Sequence, residues 1–199
     1  EGLVGELNPK QIELLEIAKR NIDRFTHLIE DVLDYQKIEI GKMVFAMQDN
    51  DINILIKDIC DVMSPTAKAK GLEFSFDAGK DVPQTKFDKG RIAQVLVHII
   101  DNAIYFTEKG KVLVTTKREG NKILISVNDT GTGIKEEDMS RLFHAFEVLD
   151  KANDRKTGST GLGLAISKEI VKRYNGKIWA ESKYMSGTTI FFTLPIYGE

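Results

Sequence analysis

The spacing of apolar residues predicts one long helix at the start of the chain. Over residues 8–40, apolar side chains recur in steps of three and four, the heptad pattern of a helix that packs inside a bundle. Asn8 and Pro9 suit the first positions of such a helix, and Gly41 suits its end. The helix is expected to present a stripe that needs partner helices, formed by Leu15, Ala18, Ile22, Phe25, Ile29 and Val32.

Beyond residue 41 the pattern alternates between helical and extended. Helices are predicted over 51–70, 88–107 and 161–174, and strands over 43–48, 72–76, 112–117, 122–127, 177–182 and 188–194. Pro65 is expected to kink or break the first of these helices. The strand 122–127 is nearly all apolar, so it should be central and covered. Because strands and helices do not alternate strictly, we expect a mixed sheet with its helices on one face.

Composition and charge exclude several classes of function. A formal net charge of −2 over 199 residues argues against a general nucleic-acid or anionic-membrane surface. No apolar run approaches the roughly 20 residues that a membrane-spanning helix needs. Cys60 is the single cysteine, which excludes an internal disulfide framework and fits a reducing compartment. Its apolar neighbours at helical spacing predict a place in the core.

A glycine-rich turn follows the most apolar strand, reading Asp129-Thr130-Gly131-Thr132-Gly133-Ile134. A carboxylate at a strand end can accept a hydrogen bond from an exocyclic amine, and two glycines let the backbone approach a flat ligand closely. The alternative is a glycine-rich turn that Asp129 merely caps. The motif alone gives the two interpretations about equal weight.

A second glycine-rich stretch, residues 158–164, leads from the polar loop 147–159 into a predicted helix. Unpaired backbone N–H groups at a helix start suit phosphate oxygens. Glycine destabilises a helix by about 0.5–1 kcal/mol relative to alanine, so three glycines in this stretch suggest a functional role. The alternative is a flexible loop that ends in a helix cap.

A third group of side chains shares one flank of the predicted helix 88–107: His98, Asn102, Tyr105 and Phe106. An amide oxygen such as that of Asn102 suits Mg²⁺ beside phosphates, because this ion prefers hard oxygen donors and keeps several waters. Without the other two motifs, a solvated Asn102 and a packed or exposed His98 would be the preferred interpretation.

Taken in order, these motifs closely resemble the catalytic ATP-binding domain of sensor histidine kinases, in the superfamily of gyrase, Hsp90 and MutL. Residues 98–103 resemble the N box of that family, 129–134 the G1 box, 143–146 the F box and 158–164 the G2 box. The long first helix resembles the second helix of the dimerisation and histidine-phosphotransfer domain. The resemblance implies a division into 1–41 and 42–199, the latter an α+β two-layer sandwich of the Bergerat type.

The family also implies roles for individual residues. Asp129 would bind the adenine amine, Asn102 would bind Mg²⁺ that bridges the phosphates, and the backbone of 160–164 would hold the phosphates. Residues 147–160 would form the ATP lid. The implied ATP-binding residues are Asn102, Tyr105, Phe106, Asp129, Gly131, Gly133, Ile134, Arg155, Lys156, Thr160, Gly161, Leu162, Gly163 and Leu164, and His98 is a further candidate near the metal.

The chain departs from the family pattern at three nucleotide-contacting positions. His98 stands where the first N-box Asn is usual, Tyr105 where Lys is usual, and Val148 where Arg is often found. Each change removes a polar or cationic contact worth about 1–3 kcal/mol. Arg155 and Lys156 are expected to compensate.

The His-Glu-x-x-Thr-Pro stretch that carries the phosphoacceptor in this family does not occur in the chain. His27 and His144 lack that context, and we expect His27 to be a solvated surface residue. The chain should therefore bind ATP without phosphorylating itself. Two alternatives stay open: a degenerate nucleotide-binding regulatory module without kinase activity, and another superfamily branch such as an anti-sigma-factor serine kinase or an ATPase clamp.

The resemblance implies partners and a location for the intact protein. It would pass the γ-phosphoryl group of ATP to a histidine and then to an aspartate of a response-regulator receiver domain. It would be a homodimer through a four-helix bundle. It would act in the cytoplasm, either free or within a membrane-anchored parent, and this chain would contact neither membrane nor nucleic acid.

Overall fold

The computed structural model describes residue 5, residues 7–147 and residues 161–197. The helices within these ranges are α1 (Pro9–Glu39), α2 (Ile52–Ala69), α3 (Lys89–Phe106), the short α4 (Glu136–Met139) and α5 (Gly163–Arg173). The strands are β1 (Gln48–Asn50), β2 (Glu73–Asp77), β3 (Thr85–Phe87), β4 (Lys111–Glu119), β5 (Lys122–Asp129), β6 (Ile178–Lys183) and β7 (Gly187–Pro195).

Five of these strands form one mixed sheet, as predicted. Its order is β2-β4-β5-β7-β6, and only β2 and β4 pair in parallel among the strands described. The apolar strand β5 is central, and its inward residues Ile123 and Ile125 are fully buried. The helices α2, α3 and α5 cover that face, which confirms the predicted two-layer α+β sandwich. Cys60 lies in this core, and burial raises the pKa of its thiol to about 11.

Three details of the sequence-based prediction are wrong or incomplete. The strand expected over 43–48 begins only at its last residue, because β1 is a three-residue strand that pairs with β3, which was not predicted. Strands this short carry no readable alternation. Of the two effects expected of Pro65, a kink or a break, the break does not occur, since α2 continues to Ala69. The four-residue helix α4 was also missed.

The long helix α1 forms as expected, and Asn8 caps it through a reciprocal pair of hydrogen bonds with Gln11. None of the helices in the described ranges combines the length and hydrophobicity that crossing a bilayer requires. The apolar stripe of α1 is not covered by the described part of the chain, since its large members are exposed: Leu15, Ile22, Phe25, Ile29 and Val32.

The helix α1 docks on the sandwich through a different face, which sequence patterns did not reveal. Among the side chains of α1 that the structure describes, Asp34 and Ile38 are buried. The Asp34 carboxylate accepts hydrogen bonds from Arg91 Nη1 at 2.6 Å and Gln94 Nε2 at 3.1 Å, both on α3. Burial alone would raise the pKa of Asp34, but these bonds and the charge of Arg91 hold it below its ordinary value. Docking therefore depends on a buried charged contact between the two helices.

We expect Asp34→Ala to release the second half of α1, because it leaves Arg91 without its partner. The free energy of unfolding should fall by about 1–3 kcal/mol, the usual cost of an unsatisfied charged hydrogen bond. The measurement is urea unfolding together with amide exchange of residues 30–39. A lowered pKa means that the stabilisation is complete above the ordinary carboxyl value of 3.8 and is lost as the pH falls through the lowered value.

The matched control for that variant is Asp61→Ala, which breaks the exposed pair between Asp61 and Lys57 on α2. Exposed pairs contribute little, so this change should leave both stability and the exchange of α1 unaltered. Equal exchange of α1 amides in wild type and Asp34→Ala would contradict the assigned role of Asp34.

Candidate functional site

Asp129 ends β5 as a buried carboxylate with one oxygen already used. Its Oδ1 accepts hydrogen bonds from the backbone N–H groups of Gly131 at 2.8 Å and Thr188 at 3.2 Å. No residue in the described ranges donates to Oδ2. Burial raises the pKa of Asp129, although these two bonds act in the opposite direction. The side chain is thus held rigidly by one oxygen, while the other keeps its capacity to accept a bond from a ligand.

The turn after Asp129 needs its glycines for a structural reason that adds to the predicted approach of a ligand, which stays a prediction. A Cβ on Gly131 would lie 2.3 Å from the carbonyl oxygen of Phe106, and one on Gly133 would lie 2.1 Å from that of Lys183. Gly133 also has a φ of +65°, which side chains rarely adopt. These glycines let the turn pack against protein backbone on both sides, and in this way they fix the position of Asp129.

The β6–β7 turn supplies a second support, which sequence analysis missed. Ser182 Oγ accepts a bond from Ile134 N at 2.8 Å and lies 2.9 Å from Thr188 Oγ1. Thr188 pairs opposite Asp129 in the ladder between β5 and β7. A Cβ on Gly187 would lie 2.1 Å from Asp129 O. These roles depend on strand register, so nothing local in the sequence announces them.

The helix α3 joins this turn to the start of α5. At its end, Phe106 O accepts a hydrogen bond from Thr132 N at 3.2 Å. Two turns earlier, the His98 ring lies 3.2 Å from the position of a Cβ on Gly163. The half-buried Asn102 lies between them along the helix. A rise of about 1.5 Å per residue puts about 12 Å between the two contacts, so α3 runs alongside the whole space between Asp129 and α5.

The first turn of α5 begins at a residue whose side chain cannot cap it. Its N-cap residue, Leu162, is fully buried and makes no side-chain capping bond. In the described part of the chain, the N–H groups of Gly163 and Leu164 are therefore without a side-chain cap and suit an anion. Gly161 has a φ of +66°, and a Cβ there would lie 2.7 Å from Glu147 O. The predictions for Arg155, Lys156, Thr160 and Val148, and for the lid, fall outside the described residues.

Lys70 brings a cation to the end of α3 that sequence analysis did not foresee. It donates from Nζ to Ile104 O at 2.7 Å and Tyr105 O at 2.5 Å, and it lies 5.5 Å from the centre of the Tyr105 ring. Tyr105 in turn contacts the Phe106 ring edge-on. Burial lowers the pKa of Lys70. A positive charge thus lies beside Tyr105, the position at which the resembling family usually has a lysine. Here the charge comes from Lys70, the C-cap residue of α2.

The donor set suits Mg²⁺ bound mainly through phosphates. Among the residues that the structure describes, no three His, Cys, Asp or Glu side chains come together as a metal cluster. A single amide oxygen, that of Asn102, is what a hard ion that keeps several waters needs when phosphates supply other oxygens. The suggested approach of His98 to the metal stays a prediction.

Comparison with known proteins identifies the family of the chain. The model of the histidine kinase-, DNA gyrase B- and HSP90-like ATPase family matches residues 87–198, more than half of the chain. The chain belongs to this family. The family resemblance inferred from the four sequence boxes is therefore confirmed.

Two curated relatives and one solved structure show which members of this family the chain is similar to. Sensor protein GacS of Pseudomonas syringae pv. syringae is 32% identical over 198 residues, which cover 96% of this chain and 22% of the relative. The histidine kinase BarA of Escherichia coli strain K12 is 34% identical over 196 residues, which cover 96% and 21%. Full-length ShkA in complex with AMPPNP has a TM-score of 0.81 and 28% identity, covering 96% of this chain and 40% of that one.

These relatives are sensor kinases, and none of them supports the alternative of a nucleotide-binding module without kinase activity. The chain spans about a fifth of the length of the curated relatives it matches.

Proposed function

We propose that this ATPase-family chain binds ATP with Mg²⁺ in the space bordered by α3, the turn 129–134 and α5. In the intact protein it would transfer the γ-phosphoryl group to a histidine. The observation that carries the proposal is the buried Asp129, whose Oδ1 is fixed by two backbone bonds while Oδ2 keeps its acceptor capacity. A carboxylate held in this way selects a ligand that offers an amine, as adenine does.

The other residues of the site would bind the phosphates, either directly or through Mg²⁺. The N–H groups of Gly163 and Leu164 would bind phosphate oxygens, with the positive end of the α5 dipole behind them. Asn102 would hold Mg²⁺ through its amide oxygen. Mg²⁺, when bound, neutralises charge on the phosphates. In phosphoryl transfer the protein contributes mainly positioning and charge neutralisation. A site without a paired acid and base is therefore compatible with this reaction.

We further propose that the phosphoacceptor is none of the three histidines of this chain. His27 and His144 are exposed side chains without the acceptor sequence, and His98 is enclosed between helices. The exposed stripe of α1 would form the homodimer bundle of the intact protein, so that 1–41 and 42–199 act as separate domains. The relatives are named as a sensor protein and a signal transduction histidine kinase, and we extend the proposal to a receiver-domain aspartate as the final acceptor and a cytoplasmic site of action.

The metal role of Asn102 is tested by measuring the affinity of a non-hydrolysable ATP analogue with Mg²⁺ and with EDTA. The wild-type chain should bind more tightly with Mg²⁺, by about tenfold, the effect of a bond worth about 1.4 kcal/mol. Asn102→Ala should keep the affinity seen in EDTA and lose the gain from Mg²⁺. Asn121→Ala, at the exposed tip of the β4–β5 hairpin, is the control and should behave like wild type.

Two outcomes separate errors in this assignment. An Asn102→Ala variant that gains as much from Mg²⁺ as wild type does would show that the metal lies elsewhere. A wild-type chain that binds the analogue neither with Mg²⁺ nor in EDTA would refute the proposed nucleotide site as a whole.

A further inference from the structure

His98 is enclosed between α1 and α5, with one ring nitrogen toward each. Its Nε2 lies 3.3 Å from Asp31 Oδ1 on α1, and its Nδ1 lies 3.4 Å from Ser167 Oγ on α5. The side chains of His98 and Asp31 are only 18% and 17% exposed, so solvent screens their interaction weakly. The residue therefore contacts the docked helix and the nucleotide-binding helix at the same time.

The hydroxyl of Ser167 connects His98 to the first turn of α5. Ser167 Oγ lies 2.8 Å from Gly163 O, an acceptor, so the single hydroxyl proton of Ser167 is used there. His98 Nδ1 must then donate to Ser167 Oγ. On the other side of the ring, Nε2 lies 3.3 Å from the carboxylate of Asp31, so the ring is oriented from both α1 and α5.

A second contact keeps Asp31 in register with His98. One helical turn farther along α1, Asp34 bonds to Arg91 and Gln94, which precede His98 on α3 by two turns and one turn. The two helices thus run antiparallel, and the buried Asp34 contact fixes which residues face each other. The order Asp31, His98, Ser167, Gly163 is a continuous path from α1 to the first turn of α5.

We propose that His98 is a positioning residue that transmits the docking of α1 to the first turn of α5, through Asp31 on one side and Ser167 and Gly163 on the other. The idea rests on the proposed function, since it gives the first turn of α5 the role of holding phosphates. When α1 is docked, the ring is oriented and supports Gly163. When Asp31 withdraws, the ring loses its orientation and the N–H groups of that turn are less well placed.

The test combines nucleotide affinity with the amide resonances of Gly163 and Ser167 in the full 199-residue chain. Asp31→Asn should shift both resonances and weaken binding of a non-hydrolysable ATP analogue by about threefold to tenfold, a normal size for coupling between sites. Glu30→Gln is the matched control, because it removes an equal charge from the neighbouring exposed position of α1. It should change neither readout.

A double substitution distinguishes a path through His98 from a general effect of charge. In a His98→Ala background, Asp31→Asn should have no further effect on either readout. His98→Asn, which carries the residue usual in the family, serves as a second background if the alanine variant does not fold. Effects of Asp31→Asn that persist in these backgrounds, or resonances that do not move in the single variant, would overturn the proposal.

The resonances also separate this proposal from the proposed function. If the wild-type chain binds no nucleotide, the proposed function fails. The path through His98 is then judged by the Gly163 and Ser167 resonances alone, which need no ligand.

Discussion

Replacing Asp129 by asparagine is expected to abolish ATP binding while leaving the fold intact. The asparagine Oδ1 can accept the same two bonds, from Gly131 N and Thr188 N, that hold the native carboxylate. The amide nitrogen then occupies the place of Oδ2 and points its hydrogen atoms at the adenine amine. That amine is itself a donor and has no free lone pair with which to accept them. Two facing donors in a buried site should weaken binding at least about a hundredfold, or about 2.7 kcal/mol.

The same variant should be at least as stable as wild type at neutral pH. Burial raises the pKa of Asp129, so its contribution to stability is most favourable below the ordinary value of 3.8 and is lost as the pH rises through the raised value. Asparagine does not titrate and avoids the cost of burying a charge. Urea unfolding at pH 7 should therefore give an equal or higher midpoint for Asp129→Asn.

The loss of ATP should be accompanied by a change of base preference. An amide N–H in the position of Oδ2 matches the carbonyl oxygen of hypoxanthine, so the variant should prefer an inosine triphosphate analogue to the adenosine one. Calorimetric titration with both analogues measures this. Asp77→Asn, at the exposed end of β2, is the control and should keep the wild-type preference. An Asp129→Asn chain that binds ATP with wild-type affinity would refute the assigned role.

Gly133→Ala is expected to be the most destabilising of the single substitutions considered. Its Cβ would lie 2.1 Å from Lys183 O and 2.8 Å from Lys183 C, both backbone atoms that cannot rotate away. The left-handed backbone adds about 1–2 kcal/mol of strain, and the overlap adds about 1–3 kcal/mol. Thermal unfolding should therefore shift down by about 10 °C for a chain of this size.

Gly120→Ala separates strain from overlap. Gly120 has a φ of +60°, close to the +65° of Gly133, but nothing lies within 4 Å of its Cβ position. Gly120→Ala should therefore introduce only the strain of the left-handed backbone, and it should lower the midpoint of thermal unfolding by about 2–8 °C. Equal losses in the two variants would show that the turn after Asp129 does not need its close approach to the β6–β7 turn.

The parts of the fold that sequence predicted are those whose signals are local and repeated. The helix α3 has a capping Asp88 and an apolar face that recurs over five turns, and β5 has an unbroken apolar run. The short strands β1 and β3 lack such repetition. The docking face of α1 was missed because Asp34 reads as an ordinary surface residue until Arg91 and Gln94 are brought to it.

The candidate site shows the same division between local and tertiary signals. The sequence could predict Asp129 and the glycines around it as site residues because they are contiguous. Ser182 and Thr188 reach Asp129 only through the pairing of β7 with its neighbours, and Lys70 reaches Tyr105 only because α2 and α3 end side by side. The need for glycine at Gly133 was predicted from a ligand, but the close approach of the Lys183 backbone, which also requires it, depends on tertiary structure.

The central claim is that the Oδ2 atom of Asp129 recognises the amino group of a purine. The most direct test compares, on the wild-type chain, the affinities of non-hydrolysable adenosine and inosine triphosphate analogues that differ only at that group. The adenosine analogue should bind at least about a hundredfold more tightly, because the inosine carbonyl would face the carboxylate without a hydrogen between them. Equal affinities, or a preference for inosine, would contradict the account.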